Sequence, residues 1–472
     1  MEFGRLAGKF SLICSQKTAL MRSINPFTGA LIAEYPVMDR EEVIRKVESV
    51  ERAFSLWSKK NVDERAAGLL AFAQVLEKNK ESYARLITLE MGKPIRESRL
   101  EIAKCAWLCR HYAEKGAEYL ADKTVITDAQ LSKIQFEPLG VLFAIMPWNF
   151  PFWQVLRFAV PAIMAGNAVV LKHAPNVTGC GLAIMEAIEE AGLPDKLIGL
   201  LVMDIDLTET VIAHPAIRGV TITGSEKAGR SVAALAGKHL KKIVLELGGS
   251  DPFIVFPDAE FGNACTTGMM SRMLNAGQVC IAAKRFLIHE DIYENFVNQQ
   301  VELLSALQPG NPLDENTTIG PMARPDLLEQ ILQQLDKTLS AGASLRYGGK
   351  AFDMHPSIFM PTIVEDVRPG MVLWNEESFG PVMCLTRFST TEEVIQLANQ
   401  SVYGLGASVW TTDNKLAAHL ASQLQCGSVF VNSLVKSDPR LPFGGTKNSG
   451  FGRELGEAGI KEFVNIKTYW FQ

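Results

Sequence analysis

An α/β protein, with parallel sheets covered by helices, is predicted by three observations. From residue 138 onward, short apolar runs alternate with helical stretches. The segments following those runs are polar and glycine-rich, where ligands of open α/β sheets bind. Finally, the 472-residue chain is 47 % apolar, enough for two or three domains with large cores.

Residues 1–20 contain a single five-residue apolar run, FSLIC, too short for the core of a signal peptide, and are expected to be an extension without catalytic importance. Asp39 with Glu42 forms a capping-box pattern that opens a helix with an apolar stripe of Val43, Val47, Val50, Phe54 and Trp57. Helical sequence from about Asp63 to Met91 stops at Gly92-Lys93-Pro94. The alternation then runs VLFAIM (141–146), a helix from about Phe152, VVL (169–171), a helix from about Thr178, LIGLLVM (197–203), GVTIT (219–223) and KIVLEL (242–247). A second α/β region spans about 247 to 438, with strands at FLI (286–288) and ASVW (407–410). Residues 119–137, ending in KIQFE, and the tail EFVNIKTYWF (462–471) are β-type and apolar enough to suggest subunit contacts.

Several function classes are disfavoured. The 47 basic and 52 acidic residues give a net charge of −5, and the one dense basic patch, Lys238 to Lys242, reads as a helix end, so no nucleic-acid partner is expected. Val141 to Leu171 is nearly uncharged, but Pro147, Asn149, Pro151, Arg157 and Pro161 interrupt it as a strand-turn-helix-strand unit would, and no membrane partner is expected. Eight thinly spread cysteines point to a reducing cytoplasm. Cys105, Cys109 and His111 lack a fourth ligand and are read as helix packing, so no metal is expected.

The chemistry concentrates on four residues. Cys280 lies in LNAGQVCIAAKR (274–285), between a glycine turn and a Lys-Arg pair, where positive potential favours a thiolate. Glu246 ends a strand before two glycines; alone it could be an exposed carboxylate. Asn149 in PWNFP could cap a helix, and Lys172 could be a solvated lysine. Gly224-Ser225 enters a helix after GVTIT, either as a pyrophosphate cradle or as a plain tight turn.

In order along the chain, PWNFP, LKHAP, TGSEKAG, LELGGSDP, NAGQVC, EESFGP and PFGGTKNSGFGRE resemble the aldehyde dehydrogenase superfamily from about Ile24 to the C-terminus. Within it, AIMPWNFPFWQVLR, LKHAPN and VCIAAKRF look most like the bacterial NAD(P)-dependent succinate-semialdehyde dehydrogenases. The resemblance implies a Rossmann-type cofactor domain (21–118 and 138–246), an α/β catalytic domain (247–438) and β-strand oligomerisation segments (119–137 and 455–472) in a homodimer or homotetramer. It implies Cys280 as nucleophile, Glu246 as general base and Asn149 as oxyanion-hole amide. NAD or NADP would be held by Trp148, Lys172, Ala174, Pro175, Gly224, Ser225, Leu247, Glu377 and Phe379. Pro175 stands where NAD-selective members often carry a glutamate, so NADP is expected to be tolerated, with Lys172 or His173 pairing to its 2′-phosphate.

Arg157 matches an arginine used for the substrate carboxylate, lies one helical turn from Trp153, and is joined by Ser437; a structural salt bridge is its alternative use. Leu274 stands where mitochondrial enzymes have a further arginine. The expected activity is oxidation of a small carboxylate-bearing aldehyde, succinate semialdehyde first. Glutarate semialdehyde, unspecific aliphatic aldehydes and a catalytically silent binding protein are the alternatives. CoA acylation is disfavoured by Glu246, and a cofactor-free thiol hydrolase by the lack of a motif histidine.

Overall fold

The computed structural model describes residues 19–472; the expected extension, residues 1–20, lies almost wholly outside them. The first helix, Arg40–Trp57, carries the predicted capping box, with Asp39 accepting from the Glu42 N–H at 2.8 Å and Glu42 accepting from the Asp39 N–H at 2.9 Å. Its stripe of Val43, Val47, Val50 and Trp57 is buried. The helical stretch expected over 63–91 is two helices, Val62–Lys78 and Lys80–Met91. Asn79 breaks it with a non-helical backbone, and its side-chain amide donates to Glu190 at 2.8 Å. Gly92 ends the second helix at φ +84°, a left-handed position that suits glycine.

A six-stranded sheet runs in the order Gly450–Phe451, Lys242–Glu246, Ile217–Thr223, Val141–Met146, Ala168–His173, Ile198–Leu200, parallel apart from Gly450–Phe451. After Val141–Met146 the chain builds outward on one side, through Ala168–His173 and Ile198–Leu200. It then crosses back to lay Ile217–Thr223 on the other side. The order therefore reverses between Val141–Met146 and Ile217–Thr223, and a crevice opens beyond their carboxyl ends, at Trp148-Asn149 and Gly224-Ser225. Val141 to Ala144 are at most 1 % exposed, and each such apolar side chain larger than alanine contributes roughly 1.5–3 kcal/mol.

The second sheet has seven strands, in the order Ser344–Tyr347, Thr362–Glu365, Val382–Phe388, Ala283–His289, Asp251–Val255, Gly406–Trp410, Ser428–Val431, with only the first antiparallel to its neighbour. A third, antiparallel sheet pairs Val464–Phe471 with Leu131–Pro138, and the latter with Lys123–Thr124. The two β-segments expected at the subunit surface thus pair first with each other, and Val464–Phe471 is left as the sheet edge.

Cys105, Cys109 and His111 lie on the buried face of helix Ile95–Tyr119. Among the described residues no cluster of His, Cys, Asp and Glu is arranged to hold a metal, and no helix is long and apolar enough to cross a membrane.

Candidate active site

The loop ahead of Cys280 is wound in an uncommon way. Asn275 and Ala276 both have φ +52°, and Gly277 follows at +74°. For an L-residue this left-handed turn costs roughly 1–2 kcal/mol, so surrounding bonds must hold it. They do. Asn275 donates from Nδ2 to the Asn149 carbonyl at 3.0 Å and from its backbone N–H to Glu97 at 2.8 Å. Gln278 donates to the Asn275 carbonyl at 3.0 Å and accepts from the Ala323 N–H at 2.9 Å. A Cβ at Gly277 would stand 2.4 Å from the Gly380 carbonyl oxygen, so only glycine fits there. Beyond the turn, buried Lys284 donates to the carbonyls of Val279 at 3.1 Å and Cys280 at 2.6 Å.

This loop places Cys280 where two cavities meet. One, of about 460 Å³, lies over the crevice of the six-stranded sheet; the other, of about 260 Å³, lies on the opposite side, and Cys280 and Gln154 line both. Burial pushes the thiol up to about 11, against the pull of Arg157 and Lys284.

Asn149 does not cap the following helix: Trp153–Met164 has no side-chain cap bond. Its amide donates to the Gln278 carbonyl at 3.0 Å, beside the Cys280 loop. Glu246 is 2 % exposed, which removes the solvent-facing alternative. Its Oε1 has no hydrogen-bond partner, and a Cβ at Gly444 would come within 2.8 Å of that atom. Burial raises its pKa well above the carboxylate range, Arg157 opposes this, and Glu454 adds to it. Leu247 and Gly248, which follow Glu246 directly, line the larger cavity.

Trp148, Gly224, Ser225, Leu247, Glu377 and Phe379 also line the larger cavity, with Trp148 and Phe379 packed edge to face at 5.8 Å. A dinucleotide fits this set. A Cβ at Gly224 would meet nothing closer than 3.9 Å, which leaves room beside the N-terminus of helix Glu226–Lys238, where Ser225 Oγ accepts from Ala228. Glu377 accepts from the Gly249 N–H at 3.1 Å and is 3.1 Å from Lys284, which ties a cavity carboxylate to the Cys280 loop. Lys172, Ala174 and Pro175 are not in this wall. Lys172 is 8 % exposed, with its pKa lowered by burial and supported by Asp204, and Pro175 opens onto a separate hollow with Arg22 and Arg324. His173 cannot take the expected phosphate contact. Its Nδ1 accepts from the Ala174 N–H at 2.9 Å, its Nε2 is 2.9 Å from the Pro151 carbonyl, and burial pushes its pKa to about 4, leaving it neutral.

Arg157, expected to meet the substrate carboxylate, lines the smaller cavity. Its guanidinium is also ion-paired with Glu454 and stacks on Phe443 at 4.6 Å, the structural use that the sequence left open. Trp153 and Ser437 line this cavity as expected. Residues whose roles sequence inspection missed are Glu454, Gln278 and Lys104, whose ammonium donates to Ser437 Oγ at 2.8 Å. A signal for Lys104 exists: Glu97, Glu101 and Lys104 recur at helical spacing on the cavity-lining side of an otherwise apolar helix face.

A model of the aldehyde dehydrogenase family matches residues 13–469. An Escherichia coli relative named succinate semialdehyde dehydrogenase (NAD(P)+) is 44 % identical, over 95 % of this chain and 97 % of its own length. A Mycobacterium tuberculosis relative named succinate-semialdehyde dehydrogenase (NADP(+)) 1 is 41 % identical, over 95 % of this chain and 99 % of its own. The crystal structure of succinic semialdehyde dehydrogenase from Streptococcus pyogenes with NADP+ superposes with a TM-score of 0.93 at 36 % identity, covering 96 % of this chain and 99 % of that one.

Proposed function

Because the chain belongs to the aldehyde dehydrogenase family, we propose that it oxidises succinate semialdehyde to succinate with NADP or NAD. The observation that carries this is the position of Cys280 in the walls of both cavities, so that one atom can face an aldehyde on one side and a nicotinamide on the other. The names carried by its relatives support the substrate, and Pro175, in place of a ribose-binding carboxylate, supports the use of NADP.

Once the Cys280 thiol has released its proton to solvent, the thiolate sulfur adds to the aldehyde carbon, forming a C–S bond and a thiohemiacetal oxyanion. The Asn149 amide and the Cys280 N–H are the donors for that oxyanion. Bound oxidised nicotinamide supplies the hydride acceptor. Loss of hydride from the former aldehyde carbon leaves a thioester on Cys280. Glu246, with its pKa raised by burial, is the base that takes a proton from water as the water attacks the thioester. The C–S bond breaks, the acid departs, and the released thiolate takes up a proton to restore the thiol.

The protein also functions as a homo-oligomer in the cytoplasm. The edge strand Val464–Phe471 exposes Ile466, Trp470 and Phe471, an apolar edge suited to a second copy, and the seven described cysteines are free thiols. Steady-state kinetics with succinate semialdehyde, glutarate semialdehyde and uncharged aldehydes, each with NAD and NADP, test the activity. The highest kcat/KM is expected for succinate semialdehyde with NADP; a higher value for an uncharged aldehyde of equal length would overturn the substrate.

A further inference from the structure

For the aldehyde oxidation proposed above, on which this rests, we infer that Glu97 is a positioning residue. Through Asn275 it holds the Asn149 amide and the Cys280 backbone N–H in place as the oxyanion donors.

A ring of hydrogen bonds ties Asn149 to the turn that carries Cys280. Asn275 Nδ2 donates to the Asn149 carbonyl at 3.0 Å, and the Asn275 carbonyl accepts from Gln278 Nε2 at 3.0 Å. The Gln278 carbonyl closes the ring by accepting from Asn149 Nδ2 at 3.0 Å. All three residues are at most 3 % exposed. Cys280 follows Gln278 by two residues, so its N–H is carried by the same turn.

Such a ring can shift as a unit unless the rest of the fold grips it, and two bonds do so. The Ala323 N–H donates to Gln278 Oε1 at 2.9 Å, and the Asn275 N–H donates to Glu97 Oε2 at 2.8 Å. Glu97 is the only side chain of this pair of anchors, and it reaches in from helix Ile95–Tyr119, 178 residues earlier. The amide oxygens of Asn149 and Asn275 have no hydrogen-bond partner, so the ring is not held from that side. Asn275 and Ala276 keep their φ of +52° at a cost, and without Glu97 this strained turn would also bury an N–H without its acceptor.

Glu97 borders the smaller cavity together with Cys280. Burial pushes its pKa up to about 7, against the pull of Lys93 and of the Asn275 N–H. Ionised or protonated, a carboxyl group keeps an oxygen that accepts. The contact therefore requires an acceptor of this reach rather than a charge.

The test compares the wild type with Glu97→Leu and Glu97→Gln, using NADP with succinate semialdehyde and with butanal, its uncharged analogue of equal chain length. Turnover is read as kcat per NADP-binding site, titrated by tryptophan fluorescence, so that unfolded protein is not counted. Glu97→Leu is expected to lose roughly ten- to hundredfold in kcat for both aldehydes, because both form the same oxyanion and a displaced donor costs that much. Glu97→Gln, which keeps the acceptor oxygen, should stay within about threefold of the wild type. Should Glu97→Leu fold poorly, Glu97→Asp, one methylene short of Asn275, should fall below Glu97→Gln. An unchanged kcat in Glu97→Leu, or equal losses in Glu97→Leu and Glu97→Gln, would overturn the assignment of Glu97. A loss for one aldehyde only would also overturn it, by placing Glu97 at the substrate tail instead of the oxyanion. A wild type inactive toward both aldehydes would overturn the proposed function, and this inference with it.

Discussion

Arg157 and Glu454 form an ion pair whose side chains are 2 % and 3 % exposed, and Glu246 lies close enough for Arg157 to lower its pKa. Arg157 thus belongs to a buried charge cluster with Glu454 and Glu246 while also lining the smaller cavity with Cys280. Removing one member of such a cluster leaves another charge buried and unmatched.

Arg157→Ala should accordingly destabilise the fold by about 3–5 kcal/mol, which urea unfolding checks. The double variant Arg157→Met, Glu454→Met should be more stable than Arg157→Met alone, because no lone carboxylate is left at that position.

Cys280→Ala should abolish both steady-state turnover and the first-turnover burst of reduced cofactor, since the thiohemiacetal cannot form. Glu246→Gln should keep a burst and lose steady-state rate by roughly two to four orders of magnitude, the usual range for a lost general base. Rapid-mixing absorbance at the reduced nicotinamide separates the two. Comparable bursts and turnover in Glu246→Gln would assign the base elsewhere.

The pH dependence of thiol reactivity follows from burial. With Cys280 pushed up to about 11, its thiolate fraction in the cofactor-free enzyme keeps growing with pH beyond the ordinary thiol range. Iodoacetamide inactivation of the cofactor-free enzyme should still be accelerating between pH 9 and pH 10, with no plateau. Lys284→Met removes a nearby positive charge that lowers this pKa, so inactivation at a given pH should slow further. A plateau below pH 9 would contradict the burial argument.

Pro175 is exposed at the start of the short helix Pro175–Val177, so a larger polar side chain can be accommodated. Pro175→Glu should shift the NAD to NADP ratio of kcat/KM toward NAD by about tenfold, or 1.4 kcal/mol, because a carboxylate accepts from ribose hydroxyls and repels a 2′-phosphate. His173→Ala should leave that ratio unchanged, since both ring nitrogens are engaged by backbone. A ratio unmoved by Pro175→Glu would place the adenosine ribose away from this turn.

Much of the scaffold was legible in the residues themselves. The strand VLFAIM is Val141–Met146 to the residue, the Asp39–Glu42 box opens its helix, and Gly92 closes another, because burial period, capping and left-handed turns are written within a few neighbouring positions. The break at Asn79, whose side-chain amide meets Glu190 111 residues away, was not legible.

By itself, the sequence determined the α/β alternation, the glycine-rich strand ends and the candidacy of Cys280, Glu246 and Asn149, all properties of short windows or of motifs in order. Tertiary structure alone decided how the charges are spent. Arg157 meets Glu454 across the fold, His173 turns inward to the Pro151 carbonyl, and Lys104 reaches Ser437, 333 residues further along. The reason is physical: a local pattern tells a side chain which face of its element it occupies, whereas the state of a buried charge depends on whichever partner the packed chain brings within about 4 Å.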